Sequence, residues 1–372
     1  MVKSTTLKFA GTRRDFVVTL NERVNGYFKK NNISRQGNNE MVIKTIFMFL
    51  LYLVPYFLVL TSTITGTFGL LTMVVLMGLG SAGIGLSVMH DANHGAYSKK
   101  AWVNDLIGYS VNLLGVTAFT WKIQHNVLHH SYTNVHEEDE DISPRGVLRF
   151  SPHSEWKKMH RYQFIYAWFL YGLMTIVWLL AKDFSRLYKY QKNGLIKAQK
   201  GNTAREWMIL VATKLFYVAY AFVLPLVVTS LFWWQILLGL LISQYIAGFV
   251  LAIIFQPAHV IEGTEFPLPD ETRAMENSWA VHQLLTTTNF GNNSRWFSWY
   301  VGGLNFQIEH HLFPNICHVH YHKIASIVRS TALEFGLPYK TSRTFLQALA
   351  GHARLLKQLG TRPVFMPVKL EQ

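Results

Sequence analysis

Seven of the chain's sixteen histidines fall into three short clusters. They are His90-Asp91-Ala92-Asn93-His94, His125-Asn126-Val127-Leu128-His129-His130 and Gln307-Ile308-Glu309-His310-His311. On a helix, residues four apart lie on one face, a turn apart. His90 and His94 can therefore address one metal region, and so can His125 and His129. His130 is rotated from His129 by about 100° at ~3.6 residues per turn, so the adjacent pair can serve two neighbouring ions. Seven imidazoles exceed what a tetrahedral zinc site uses, and a dinuclear centre fits the count better. Neutral imidazole suits Zn, Cu, Fe and Ni alike, so the ligands alone do not name the metal. Neither the HExxH pattern of zinc proteases nor the Glu-x-x-His pair of carboxylate di-iron bundles occurs.

The elements that carry these clusters are apolar. Of 372 residues half are apolar, 14% are aromatic and 15% are charged, with a net charge of +14. Such a composition excludes disorder. One cysteine, Cys317, excludes a disulfide scaffold. A basic and apolar chain points to a membrane before a nucleic acid. Runs of about 20 residues at about 46–65, 68–89, 209–231 and 233–255 are long enough to span a bilayer. Only Lys214 interrupts them, placed where it is expected to snorkel. Trp207, Trp233 and Trp234 suit the membrane interface. The small residues Gly78, Gly80, Ser81, Ala82, Gly83 and Gly85 suit close helix packing, with a substrate-lining role as the alternative.

Charge sets the orientation. The connections near 61–67 and 231–234 are short and uncharged, whereas residues 1–44 (from Lys3 to Lys44) and 182–206 are rich in Lys and Arg. The positive-inside rule makes the N-terminus, the middle and the C-terminal third cytoplasmic. The basic stretch before the first run is not read as a signal peptide. Metal ligands must meet in one compartment, so an even number of spans separates the second and third clusters. The runs at 209–231 and 233–255 supply two. Trp102–Trp121 and Tyr162–Ala181 are accordingly expected to be surface or half-buried helices.

The segments HDANHGAYS (90–98), HNVLHHSYTN (125–134) and GGLNFQIEHHLFP (302–314) resemble the membrane fatty acid desaturases, over about residues 41–330. Gln307, where other members have the first histidine of HxxHH, resembles the front-end, linoleoyl-CoA or Δ6-type, subgroup. The HPGG haem motif of fused cytochrome b5 domains is absent, which suggests a bacterial member served by a separate electron-transfer protein of ferredoxin or cytochrome b5 type. The resemblance implies an all-α integral membrane protein, one domain over 1–372. It would have four spans and a cytoplasmic helical cap (90–206 and 256–372) carrying a di-iron site. It further implies O2 as oxidant and a cis double bond made in a long acyl chain carried on CoA or on a lipid. The active site would face the cytoplasm from a bacterial inner membrane, with no nucleic acid as partner.

By the same resemblance the metal ligands are His90, His94, His125, His129, His130, His310 and His311, completed by His259 in preference to His282. Gln307 is expected to be a weak or water-mediated ligand. Asp91, Glu309, Asp139 and Asp141 are candidates to hold the far nitrogen of a ligating ring, although His136–Asp141 otherwise reads as a solvated acidic loop. His318, His320 and His322 do not share a helical face and are expected at the surface or at lipid headgroups. Cys317 is expected to be a buried thiol without a redox role. A di-iron hydroxylase of alkanes, sterols or carotenoids is the enzymatic alternative. A metal transporter is a distant one, because its ligands should lie within the spans.

Overall fold

The computed structural model describes residues 7–143 and 146–362; Lys3 and both ends of the expected 1–372 domain lie outside them. Helix α1 (Arg14–Lys30) is followed by α2 (Asn39–Leu60), α3 (Thr67–Asn93), a helical run at 118–132 (α4), and α5 (Lys158–Gly172) with α6 (Met174–Lys192). Then come α7 (Thr203–Val228), α8 (Trp233–His259), α9 (Trp279–Thr286), α10 (Gln307–Leu312), α11 (Tyr321–Glu334) and α12 (Phe345–Gly360). Four of these, α2, α3, α7 and α8, are long and apolar enough to cross a membrane. Asparagines start two of them: the side chains of Asn38 and Asn202 accept from the backbone N–H of Met41 and Arg205.

Helix α3 packs between α2 and α8 at backbone contact. A Cβ on Gly80 would stand 2.7 Å from the backbone N of Tyr52 on α2, and one on Gly78 would stand 2.8 Å from Ser243 O on α8. Small residues are thus required on two sides of one helix, while Ser81 and Gly85 face a cavity instead. The remaining faces of the four helices point outward with apolar side chains such as Phe57, Phe68, Val227 and Trp233.

The helices run further than their apolar runs suggest. α3 continues through the first histidine cluster, and α8 ends on His259. Each of α3, α4, α6 and α7 contains a π-turn, at Ile84–Val88, Ile123–His129, Trp178–Lys182 and Ala219–Val223. A π-turn inserts one residue and rotates the helix beyond it. Helices α5 and α6 are bent by 61° to one another, and α5 packs along α8. The 101–113 stretch is broken into two short helices.

Lys214 does not snorkel. It is buried on α7, where Nζ donates to Asp183 Oδ2 on α6 (2.8 Å) and to Gly115 O (2.6 Å). Asp183 also accepts from Thr117 N, Thr120 Oγ1 and Trp178 Nε1. An interior partner far away in sequence replaces the expected escape to the interface.

Beyond the long helices, α1 lays Phe16, Leu20, Val24 and Phe28 into a core with Ile308, Ile324 and Val328, which braces α10. Two short parallel pairings tie the cap together: Lys8–Phe9 with Ala274–Met275, and Asn289–Phe290 with Thr341–Ser342.

Candidate metal centre

Four helices converge on one point. The last turn of α3 brings His90 and His94, α4 brings His125, His129 and His130, the end of α8 brings His259, and α10 brings His310 and His311. The side-chain nitrogens form two principal sets, each within 4.8 Å. One is His90, His94, His125 and His310; the other is His129, His259 and His311. His130 lies between them, in reach of His310 and His311. His125 and His129 stack with ring centroids 5.2 Å apart and share a further set with Asp141, yet the four-ring set takes His125 and the three-ring set takes His129.

Hydrogen bonds fix how most of these rings are turned. Carboxylates and carbonyls only accept, so the ring nitrogen facing one carries the proton. His129 Nδ1 donates to Asp139 (2.9 Å), His125 Nδ1 to Asp141 Oδ2 (3.0 Å) and His259 Nδ1 to Thr286 O (3.3 Å). His311 Nδ1 faces Gln283 Oε1 (2.8 Å), whose own amide donates to His130 O, and His310 Nδ1 lies 3.2 Å from Tyr321 Oη. Where the partner is a carboxylate or a carbonyl, Nε2 is left as an inward lone pair; the Tyr321 hydroxyl can donate or accept, so it orients the His310 ring without fixing its tautomer.

The inward atoms fit metal ions. Nε2 of His94, His259 and His311 are buried without any hydrogen-bond partner, a state that costs about 1–3 kcal/mol per atom when uncompensated. His90 and His125 bring their Nε2 atoms to 3.1 Å, and His130 and His310 theirs to 3.0 Å. That is about the separation of adjacent nitrogens on one ion with bonds of ~2.1 Å. Protonation state agrees for four of the rings, with His129 the exception. Burial and neighbouring rings hold His130, His310 and His311 well below the ordinary imidazole range. Burial lowers His125 to about 3 despite Asp141. For His129 burial is outweighed by Asp139 and Asp141, and its pKa is raised.

Other expected residues are placed differently. The His136–Asp141 stretch is not simply a solvated loop. Asp139 and Glu140 are buried, Asp139 and Asp141 hold ligand-candidate rings, and Glu140 pairs with Arg186 and Lys189. The chain turns here with Asn134 and Glu137 at positive φ, which folds the acids inward. His282 is in no such set; its Nε2 is used by Thr133 O at 2.8 Å. Asp91 lies 3.9 Å from His90 Nδ1 and instead accepts from His318 Nδ1 (2.8 Å).

Glu309 touches none of the rings. It accepts from Asn289 and Tyr339, and burial raises its pKa to about 7. Gln307 is buried one turn before His310 and His311, with Nε2 unpartnered. His318 and His320 are buried, contrary to the expectation of a surface run, and only His322 is exposed. His318 is drawn inward by Asp91, and His320 bonds Gln36 O. Buried Cys317 forms a separate set with Asp91 and His318, away from the histidine sets, but Lys44 Nζ already sits 2.6 Å from His318 Nε2.

Sequence reasoning missed Gln283 and Tyr321, which hold His311 and His310. Gln283 directly follows His282 on a short amphipathic helix, and that adjacency was its only signal. Also missed was the cavity beneath the rings, of about 110 Å³, whose lining includes His125, His129, His259, Trp121, Trp178 and Phe255. It reaches Ser81 and Gln244. Both residues also line a second cavity of about 300 Å³, which extends between the long helices to Leu60, Thr67 and Trp234.

The family model for fatty acid desaturases matches residues 65–343. The chain is 35% identical over 363 residues to an sn-1 linoleoyl-lipid 6-desaturase of Synechocystis sp., covering 97% of this chain and 99% of that protein. It is 38% identical to the enzyme of the same name from Arthrospira platensis, over 97% of each chain. An acyl-lipid (8-3)-desaturase of Physcomitrium patens is 38% identical over 96% of this chain and 74% of its own length.

Proposed function

The chain belongs to the fatty acid desaturase family, and we propose that it inserts a cis double bond near the carboxyl end of a lipid-linked acyl chain, at carbon 6 as in its two cyanobacterial relatives. The observation that carries this reading is the apolar cavity beneath two converging sets of imidazoles. An acyl chain offers almost nothing polar to recognise, so depth and shape of the channel must select the methylenes that react.

Two iron ions are the proposed cofactor. His90, His94, His125 and His310 would hold one and His129, His259 and His311 the other, with His130 between them and Gln307 as a weak or water-mediated ligand. Bound there, the ions supply what no side chain can, activation of O2 toward an unactivated C–H bond. The protein's own residues do the rest. Asp139, Asp141, Thr286 O and Gln283 fix ring orientation, as such partners do in metal sites generally. Trp121 and Phe255 wall the cavity and keep bulk water from the reacting methylenes. Removing two hydrogens while O2 leaves as two waters calls for two electrons and two protons from outside. A separate ferredoxin or cytochrome b5-type protein is the proposed donor.

The proposed setting is a bacterial inner membrane, with α2, α3, α7 and α8 crossing it and the histidines on the cytoplasmic side. The rings of α3, α4, α8 and α10 meet in one place, so α5 and α6 enter and leave from the same side. Expression in a desaturase-free host supplied with linoleoyl lipids tests the function. The expected outcome is a new double bond at carbon 6, located by mass spectrometry, and roughly two irons per purified chain, both abolished by His130→Ala. A hydroxylated lipid, or full activity of that variant, would overturn it.

A further inference from the structure

The cavity beneath the rings has two distinguishable ends, and α6 runs alongside it. At one end Thr175 Oγ1 donates to Gln244 O on α8 (2.6 Å), next to Ser81 and the second cavity. Lys182 lies seven residues further along α6, about 10 Å at 1.5 Å per residue, and lines the same cavity. It closes the π-turn that begins at Trp178, and its Nζ rests 3.9 Å over the Trp178 ring. Asp141, which holds His125, lines the same cavity.

Among the described residues no carboxylate lies within ion-pair distance of Lys182. The acids around it are committed elsewhere: Asp183 to Lys214, Glu140 to Arg186 and Lys189, and Asp141 to His125. The neighbourhood thus presents a half-buried ammonium with an aromatic face on one side and an apolar cavity on the other. Such a group gains from a polar oxygen delivered by whatever fills the cavity.

Resting on the desaturase reading, we propose that Lys182 binds the ester carbonyl of the acyl lipid and so sets the distance from the carbonyl to the reacting carbons. The acyl chain enters carbonyl-last. Its first methylenes lie between Lys182 and the rings of His125, His129 and His259, and its methyl end passes Ser81 and Gln244 into the larger cavity. Counting from the carboxyl end is then a property of one cation and of its separation from the rings across the cavity. Lys182 is a substrate-positioning residue and takes no part in the electron or proton transfers.

The test compares wild type with Lys182→Met and Lys182→Arg in a desaturase-free host, reading the double-bond position by mass spectrometry and the iron content of the purified protein. Lys182→Met should keep its iron but spread the double bond over neighbouring positions, with yield down about tenfold, the effect expected of losing a charge-assisted hydrogen bond. Lys182→Arg should restore a single position. An unchanged position and yield in Lys182→Met overturns the proposal.

Ser81→Phe gives an independent arm with Lys182 intact. It should cut the yield from longer acyl chains while leaving the bond at the same count from the carbonyl. A bond that moves relative to the carbonyl means the chain is not held at its head, and this also overturns the proposal. Absence of any double bond from the wild-type protein would instead count against the desaturase reading.

Discussion

His259 presents a buried, unpartnered Nε2 to His129 and His311, whereas His282 uses its Nε2 on Thr133 O. The two histidines should therefore separate cleanly on mutation. His259→Ala should lose close to half of the bound iron and depress product by more than ~100-fold, since loss of a supporting partner alone typically costs 10–100-fold. His282→Ala should keep its iron. Metal analysis of the two purified variants checks this, and equal iron in both would remove His259 from the ligand set. The paired clusters were legible because helical spacing brings rings together whatever the fold. The partners of the rings were less so. Asp139 and Asp141 lie in a run of turns, where neither helical nor strand spacing assigns a face, so nothing local says that they turn inward. His318 was misplaced for the same reason, its buried partner Asp91 lying in another cluster altogether.

At the scale of elements, α6 and α7 are joined by the Lys214–Asp183 pair, and Asp183 also holds the start of α4 through Thr117 and Thr120. Lys214→Met strands a buried carboxylate and should destabilise the protein by about 3–5 kcal/mol; adding Asp183→Asn should recover part of the loss. Thermal unfolding in detergent measures both, and an unchanged Tm for Lys214→Met would show that the pair contributes nothing. Helix α12 is held by His352, which bonds Val260 O beyond α8 and Tyr171 on α5. Burial lowers its pKa to about 4. The unfolded chain, with an ordinary value of ~6.5, takes up the proton first. The stability contribution is therefore complete above pH 6.5 and declines as pH falls toward 4, by roughly 3 kcal/mol in all. His352→Gln should flatten that decline in Tm between pH 7 and 5; a decline of the same slope would assign it to other groups. Long helices were readable from apolar runs. The π-turns were not, because inserting one residue changes the direction of a face without changing composition.

For the whole molecule, the charge asymmetry and the meeting of the clusters make linked demands. The +14 charge resides largely in the segments outside the apolar runs, while 61–66 and 229–232 carry none. If the long helices cross a bilayer, these two connections lie on one side, and the histidine elements with the 193–202 and 260–278 segments lie on the other. Cys317, the one cysteine in the sequence, is buried, so Cys317→Ala provides a background for single cysteines. Introduced at Thr63 or Ser230, a cysteine should react with a membrane-impermeant maleimide added to intact spheroplasts. Introduced at Asn193 or Thr272, it should react only after lysis. Labelling of Ser230→Cys and Asn193→Cys from the same side would mean an even number of crossings between them. The pair α7 and α8 would then not be two spans, and the parity that places His130 and His310 in one compartment would fail. The charge pattern and the convergence of the rings on one centre are independent properties of the chain, and one topology satisfies both.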